Sequence, residues 1–251
     1  MVIVGNKPLE PSELTEFTEN SFEKNILKQM SKSSQTYQYD NLDQLRFELK
    51  LRKEIVDAAY DLAGSGMDFE VFRETRANPR YWDRTNQGGF TLKRGAVPSE
   101  AIMDIYENGQ KYGTECATAM MIVYYKALLT TFGAKRFNEL FPTITLMNWH
   151  NIPPLLREVG YMDPAGEYIP GDRLYFENPD VDPKTPEWQG ENVIFLAPDK
   201  FYGHGIGITN ASTIIKGLNQ NRRRNADDSA FLSKDSGRPD FKNLSKVYYN
   251  Q

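Results

Sequence analysis

Scarcity marks out the residues that could do chemistry. Cys116 is the only cysteine among the 251 residues, and His150 and His204 are the only histidines. Together the two types can perform nucleophilic catalysis. An imidazole holds the thiol as thiolate near neutral pH, and an acid orients the imidazole. Cys116 directly follows Glu115 and opens the apolar run "CATAMMIVYY". A thiol in the first turn of a helix feels the partial positive charge of that end, which favours thiolate. An ionised Glu115 opposes this effect; a protonated one could donate a proton or hydrogen bond. His204 sits in "YGHGIG", between glycines that leave its ring room to face a pocket, whereas His150 precedes a proline turn and reads as structural. Glu191, in "QGENV", is separated from His204 by a turn near Pro198 and Asp199, so paired strands would make the two side chains cross-strand neighbours. Taken singly, each residue has a plainer reading. A lone cysteine at a helix start is more often an inert buried residue, and Glu191 reads as a turn acid. The order Cys, acid, His is compatible with cysteine catalysis without being specific to it.

The elements that must position these groups divide along the chain. Residues 1–40 are polar and mixed, expected as a wrapped arm with a short helix over Pro11–Asn20. Asn41–Ala63 places Leu45, Leu49, Val56, Ala59 and Ala63 near one stripe, which predicts a helix stopped by "GSG". Asp68 is expected to cap a short helix through Arg76, and "RYWDRTNQGGFTLKR" reads as a hairpin. A helix opens at Pro98 and ends near Gly109. The Cys116 helix runs to Phe132 and stops at Gly133, and "KRFNELF" is helical. Beyond it "TITLMNW", "DRLYFEN", "ENVIFLA" and "FYGHGIGI" read as strands, followed by a last helix from Ala211 to about Asn221. Helices first and strands second give an α+β class, with the cysteine helix packed on an antiparallel sheet. No repeat or low-complexity linker interrupts the chain, so one domain over 1–251 is expected. The tail 226–251 is poorly defined but partly packed through Phe231, Phe241, Tyr248 and Tyr249.

Composition excludes other classes. Thirty Lys and Arg against thirty-four Asp and Glu give a formal charge of −4, unlike the basic surface of a nucleic-acid binder. A single cysteine excludes a disulfide framework and a multi-cysteine metal cluster. No basic leader precedes a long apolar run, and no run approaches the roughly 20 apolar residues of a membrane span, so cytoplasmic synthesis without membrane insertion is expected. The run Asp180–Glu191 has acids at the ends of a calcium-loop spacing but Thr185 where glycine is required, together with internal prolines. There is no phosphate-cradling GxxxxGK[ST] loop, and "GHGIGI" lacks the third glycine of a dinucleotide turn.

The segments "FELKLRKEIVDAA", "AIMDIYENGQKYGTECATAMMIVYYKAL", "GDRLYFENPDVDP", "WQGENVIFL" and "DKFYGHGIGI" resemble the spore-coat transglutaminases of Bacillus and their relatives, the protein-glutamine γ-glutamyltransferases. The likeness spans roughly residues 1–225. It implies a papain-like α+β core, preceded by additional N-terminal helices, and a calcium-independent enzyme without cofactor or metal. It also implies glutamine–lysine isopeptide crosslinking of spore-coat proteins by a monomer that ends on the spore coat. Carried over by position, the nucleophile is Cys116, the acid/base glutamates are Glu115 and Glu191, and the histidine is His204. Phe69, Trp149, Trp188 and Tyr175 become the aromatic walls, with Asn192 beside the acid. Where the family motif has "AHG", this chain has "YGHG". A papain-like cysteine hydrolase, a peptidase or amidase, is the alternative; it would use the same nucleophile but expose the thioester to water.

Overall fold

A computed structural model describes residues 1–250. Seven α-helices are described: α1 (Phe22–Lys32), α2 (Leu42–Gly64), α3 (Pro98–Glu107), α4 (Cys116–Phe132), α5 (Ala134–Leu140), α6 (Ala211–Asn219) and α7 (Phe241–Tyr248). Most begin with a side chain that satisfies a free backbone N–H. Ser21 caps α1, Asn41 caps α2, Asn210 caps α6 and Asp240 caps α7. α4 ends at Gly133, whose φ of 77° suits a residue without Cβ.

The largest sheet has five antiparallel strands in the spatial order Gly207–Thr209, Lys200–Gly203, Gly190–Ala197, Arg173–Glu177, Phe231–Leu232. Its centre, Gly190–Ala197, is buried on both faces, which is why the sequence reads as an almost unbroken apolar run rather than an alternating one. Ile194 and Leu196 join the main core with α2, α3 and α4, while Val193 and Phe195 pack with Phe176, Phe201, Ile214 and Leu218 beneath α6. α4 lies against α2 and the central strand, so the expected α+β arrangement of cysteine helix on antiparallel sheet is present.

Arg52 of α2 anchors a buried charge cluster. Its guanidinium reaches Glu48 and Asp172, each at 2.8 Å, and Asp172 also receives Arg238 from the tail at 2.7 Å. The cluster fixes the chain at the start of the strand that carries Arg173 and Tyr175.

Several elements differ from the sequence expectation. The arm's helix is α1, at Phe22–Lys32, and only a short 3₁₀ turn occupies Pro11–Glu13. Asp68–Arg76 is not helical: Asp68–Phe69 pairs in parallel with Gly113–Thr114. The Arg84 side chain then donates to the carbonyls of Phe72, Arg73 and Thr75, which a helix would have used internally. "FYGHGIGI" is two strands, not one, and His204 lies in the turn between them. The hairpin Trp82–Arg84 with Phe90–Leu92 forms as expected, and α7 buries Phe241 and Leu244 of the tail, while Phe231 is exposed.

Candidate active site

Cys116 is the first residue of α4. The preceding Glu115 is the helix N-cap: its carboxylate accepts from the Ala117 N–H at 2.6 Å, the Thr118 N–H at 2.8 Å and the Thr118 hydroxyl. Glutamate is an uncommon cap. Its position fixes the first turn and so the direction of the cysteine side chain. Burial pushes the Glu115 carboxyl up, and the donors from Thr118 and Ala117 pull it down. Thr118 Oγ1 also accepts the Asn148 N–H at 2.7 Å, tying the loop before Trp149 to the start of α4.

The sulfur opens on a cavity of about 820 Å³. Phe69, Trp149, Tyr175 and Asn192 all line it, as do Glu115 and Arg173. Trp188 does not: it packs against the core beneath α6, while its neighbours Pro186, Glu187 and Gln189 line the cavity. Trp149 is held by a tight bend in which Asn148 adopts a φ of 49° and accepts the Trp149 N–H at 2.7 Å.

The central strand pairs Tyr175 with Asn192 and Arg173 with Ile194, bringing alternate residues of two strands to the sulfur. Asn192 Nδ2 donates to Cys116 Sγ at 3.6 Å. Glu191 is 6 % exposed, and its buried Oε1 has no hydrogen-bond partner among the described residues. Burial, and then the charge of Glu115, hold its carboxyl well above the usual range. Gly203 makes room for it, because a Cβ there would lie 2.8 Å from Oε1. Burial, followed by the charges of Glu191 and Glu115, pushes the Cys116 thiol up, while the Asn192 donors pull it down.

The expected thiolate–imidazolium pair is not present among the described residues. His204 is 3 % exposed, and its ring nitrogens have other partners: Nε2 lies 3.0 Å from the Asp68 carbonyl and Nδ1 3.3 Å from the Tyr202 hydroxyl. A carbonyl only accepts, so Nε2 carries the hydrogen and Nδ1 accepts from Tyr202. Burial pushes the imidazole down to about 4, so it is neutral at pH 7. The strand pairing is antiparallel as expected, but its register, Val193 with Gly203, sets Asn192 rather than Glu191 level with His204. The physical reason is that the glycine-flanked turn directs the imidazole at the strand bearing Phe69.

Sequence reasoning missed Arg173, Thr118 and Asn148. A charged residue beside Leu174 in the strand read from "DRLYFEN" was the available signal for Arg173; nothing local marks Asn148.

A family profile described as "Protein-glutamine gamma-glutamyltransferase" matches residues 1–248. The protein-glutamine gamma-glutamyltransferase of Bacillus mycoides (strain KBAB4) is 42% identical over 234 residues, covering 93% of this chain and 84% of that protein. That of Bacillus cereus (strain G9842) is 41% identical over 249 residues, covering 98% and 88%. Among solved structures, a transglutaminase from Geobacillus stearothermophilus without its C-terminal extension superposes with a TM-score of 0.78 at 45% identity, over 83% of this chain and 98% of that one.

Proposed function

Given that the chain belongs to the protein-glutamine γ-glutamyltransferase family, we propose that Cys116 is the nucleophile of an acyl transfer from a protein glutamine to a lysine amine. The observation that carries this role is the placement of the chain's single sulfur, at the head of α4, facing an aromatic-lined cavity and an Asn192 N–H donor.

The reactive form of the site is the fraction in which Glu191 has ionised, so that Cys116 and Glu191 hold one proton between them. A carboxylate that ionises reluctantly is the stronger base. As Sγ bonds to the γ-carbonyl carbon, its proton passes to the Glu191 carboxylate. The carbonyl's π pair becomes an oxyanion facing Asn192 Nδ2 and the Cys116 backbone N–H. The C–N bond then breaks, the Glu191 proton moves to the departing nitrogen, and ammonia leaves a thioester. A neutral lysine amine attacks that carbon and passes a proton to Glu191. The C–S bond breaks, and the sulfur recovers the proton. The sum is glutamine plus lysine giving an isopeptide and ammonia. The lysine amine is mostly protonated at neutral pH, with a free pKa of ~10.4, so a second acceptor must deprotonate it; Glu115 is the proposed one, and it passes that proton on to the released ammonia, which leaves as ammonium. Phe69, Trp149 and Tyr175 shelter the thioester from water at ~55 M and hold the aliphatic lysine stem. His204 acts by bracing the Phe69 strand through the Asp68 carbonyl.

Spore-coat proteins are the proposed carriers of the reacting glutamines and lysines, with the monomeric enzyme acting on the coat after cytoplasmic synthesis. The likeness to Bacillus relatives supports this. No described helix is long and apolar enough to cross a membrane. Calcium independence is likewise proposed. The acid that opens the calcium-like run, Asp180, already accepts from Arg223 and from the N–H groups of Asp227 and Asp228.

The test is incubation with a glutamine peptide and a primary amine, with and without chelator. Amine incorporation exceeding glutamate formation, unchanged by chelator and lost in Cys116→Ser, is expected. A folded Cys116→Ser protein that still crosslinks would remove the reading, and hydrolysis dominating over transfer would favour the hydrolase.

A further inference from the structure

Arg173 is a buried cation without a counter-ion. It is 2 % exposed and, unlike Arg52, makes no ion pair among the described residues. Its Nη1 donates to Asn192 Oδ1 at 2.9 Å, and its Nη2 donates to the carbonyls of Val159 and Tyr161, each at 3.0 Å. Its Nε has no hydrogen-bond partner among the described residues. Its Cζ lies 4.2 Å from the centroid of the Trp149 ring. Gly237 leaves room for it, since a Cβ there would sit 2.8 Å from Nη2. Burying an unpaired guanidinium is costly, so a fold that makes such a fitted place for one is holding it for a purpose.

The chemistry of the contact identifies the purpose. A carboxamide can turn either its oxygen or its NH₂ toward a neighbour. A guanidinium can only donate, and it does so as a rigid fork. The Asn192 oxygen must therefore face Arg173, and the NH₂ is left facing the sulfur. We propose that Arg173 is a positioning residue that locks the Asn192 carboxamide, so that the site presents a fixed N–H donor to the Cys116 thiolate and to the oxyanion of the acyl-transfer intermediate. The inference rests on Cys116 being the nucleophile. The guanidinium also backs Trp149, so one side chain sets both the donor and an aromatic wall of the cavity.

The groups whose charge acts on the sulfur are Glu191 on the central strand and Glu115 at the head of α4. Both are acids that oppose thiolate. Arg173 and Tyr175, on the adjacent strand, feel the sulfur's charge in turn. Against these two acids stands the Asn192 donor that Arg173 holds in place, and burial lowers the guanidinium's own proton affinity without making it neutral.

The test is the pH dependence of Cys116 alkylation by iodoacetamide, read beside amine-incorporation kinetics on full-length protein. In Arg173→Gln the alkylation midpoint should move up by about 1 pH unit or more. The turnover number should fall roughly tenfold or more, a larger change than that in the KM for the amine, which the loosened Trp149 wall also raises. Arg173→Lys keeps charge but loses the fork and should fall between. A folded Arg173→Gln protein with the wild-type alkylation profile and turnover would overturn the proposal. If that variant does not fold, Asn192→Asp decides: its carboxylate pairs with Arg173 but offers the sulfur no donor, so the same upward displacement is expected, and an unmoved profile overturns the lock. Cys116→Ser run in parallel separates the failures. A dead Cys116→Ser with unmoved profiles removes only the role of Arg173, whereas an active one removes the nucleophile itself.

Discussion

Replacing Glu191 with glutamine should make the protein a worse enzyme and, at neutral pH, a more stable one. The substitution keeps the shape and removes the titratable proton. Burial and the Glu115 charge raise the folded-state pKa of Glu191 above the unfolded value. A raised pKa means that the group's contribution to stability is complete below the unfolded value of ~4.3 and is lost as pH rises through the folded one. Below ~4.3 the wild type and Glu191→Gln should therefore match. Above it the unfolded chain releases its proton while the folded chain keeps it. The wild type then falls behind at a slope approaching about 1.4 kcal/mol per pH unit until the folded carboxyl itself ionises. Catalysis moves the other way. A positioned acid–base group contributes typically ~10²–10⁴-fold, or about 3–5 kcal/mol of barrier, and the amide can neither take the sulfur's proton nor deliver one to ammonia. The assay pairs urea denaturation at several pH values from 4 to 8 with amine incorporation at each. Parallel stability–pH curves for the two proteins, or an undiminished rate in the variant, would show that Glu191 is not the raised, working acid described here.

Three further outcomes are expected. His204, held down to about 4, lies below its ordinary 6.5, so its contribution is complete above pH 6.5 and shrinks as pH falls toward 4, by up to about 3 kcal/mol; His204→Gln should lack that acid-side decline in denaturation curves, and an identical decline would contradict the neutral buried imidazole. Gly203→Ala would set a methyl 2.8 Å from Glu191 Oε1; turnover should drop about tenfold or more with a stability change of only ~1 kcal/mol, and an unaffected turnover would mean that the placement of Glu191 is not critical. Arg52→Ala strands Glu48 and Asp172 in the core and should cost about 3–5 kcal/mol by denaturation, toward the lower figure because Asp172 keeps Arg238; a loss under ~1 kcal/mol would show that the cluster is not structural.

The parts of the molecule that could be read from the chain were those whose cause is local. α2 announced itself by an apolar stripe stopped by "GSG", and α4 by an apolar run ending at Gly133. Cys116 and Glu115 at its head followed directly. α1 was missed because its buried stripe is thin, Ile26, Leu27 and Met30 with the stem of Lys24. Asp68–Arg76 was mistaken for a helix because the groups that satisfy its carbonyls belong to Arg84, which no local pattern reveals. At the site the same limit applied. Type and spacing singled out Glu191 and His204 only as candidates, to which the resemblance gave roles, and the direction of the imidazole depends on Tyr202 and on the carbonyl of Asp68, far away in sequence. Trp188 has the right chemistry for a cavity wall and faces the other core, since a 3₁₀ turn at Pro186–Trp188 reverses it.

The seating of Trp149 over a guanidinium gives this protein a built-in optical gauge. Of its three indoles, Trp82 is sealed in the core and Trp188 rests on the far side of the sheet, leaving Trp149 as the one that shares a cavity with the Cys116 sulfur. A cation stacked on that ring and an open cavity next to it make its emission responsive to whatever fills the space. If acyl transfer runs at Cys116 as proposed, loading of the cavity by a glutamine side chain, formation of the thioester and discharge to an amine should each change that fluorescence, without attaching a dye.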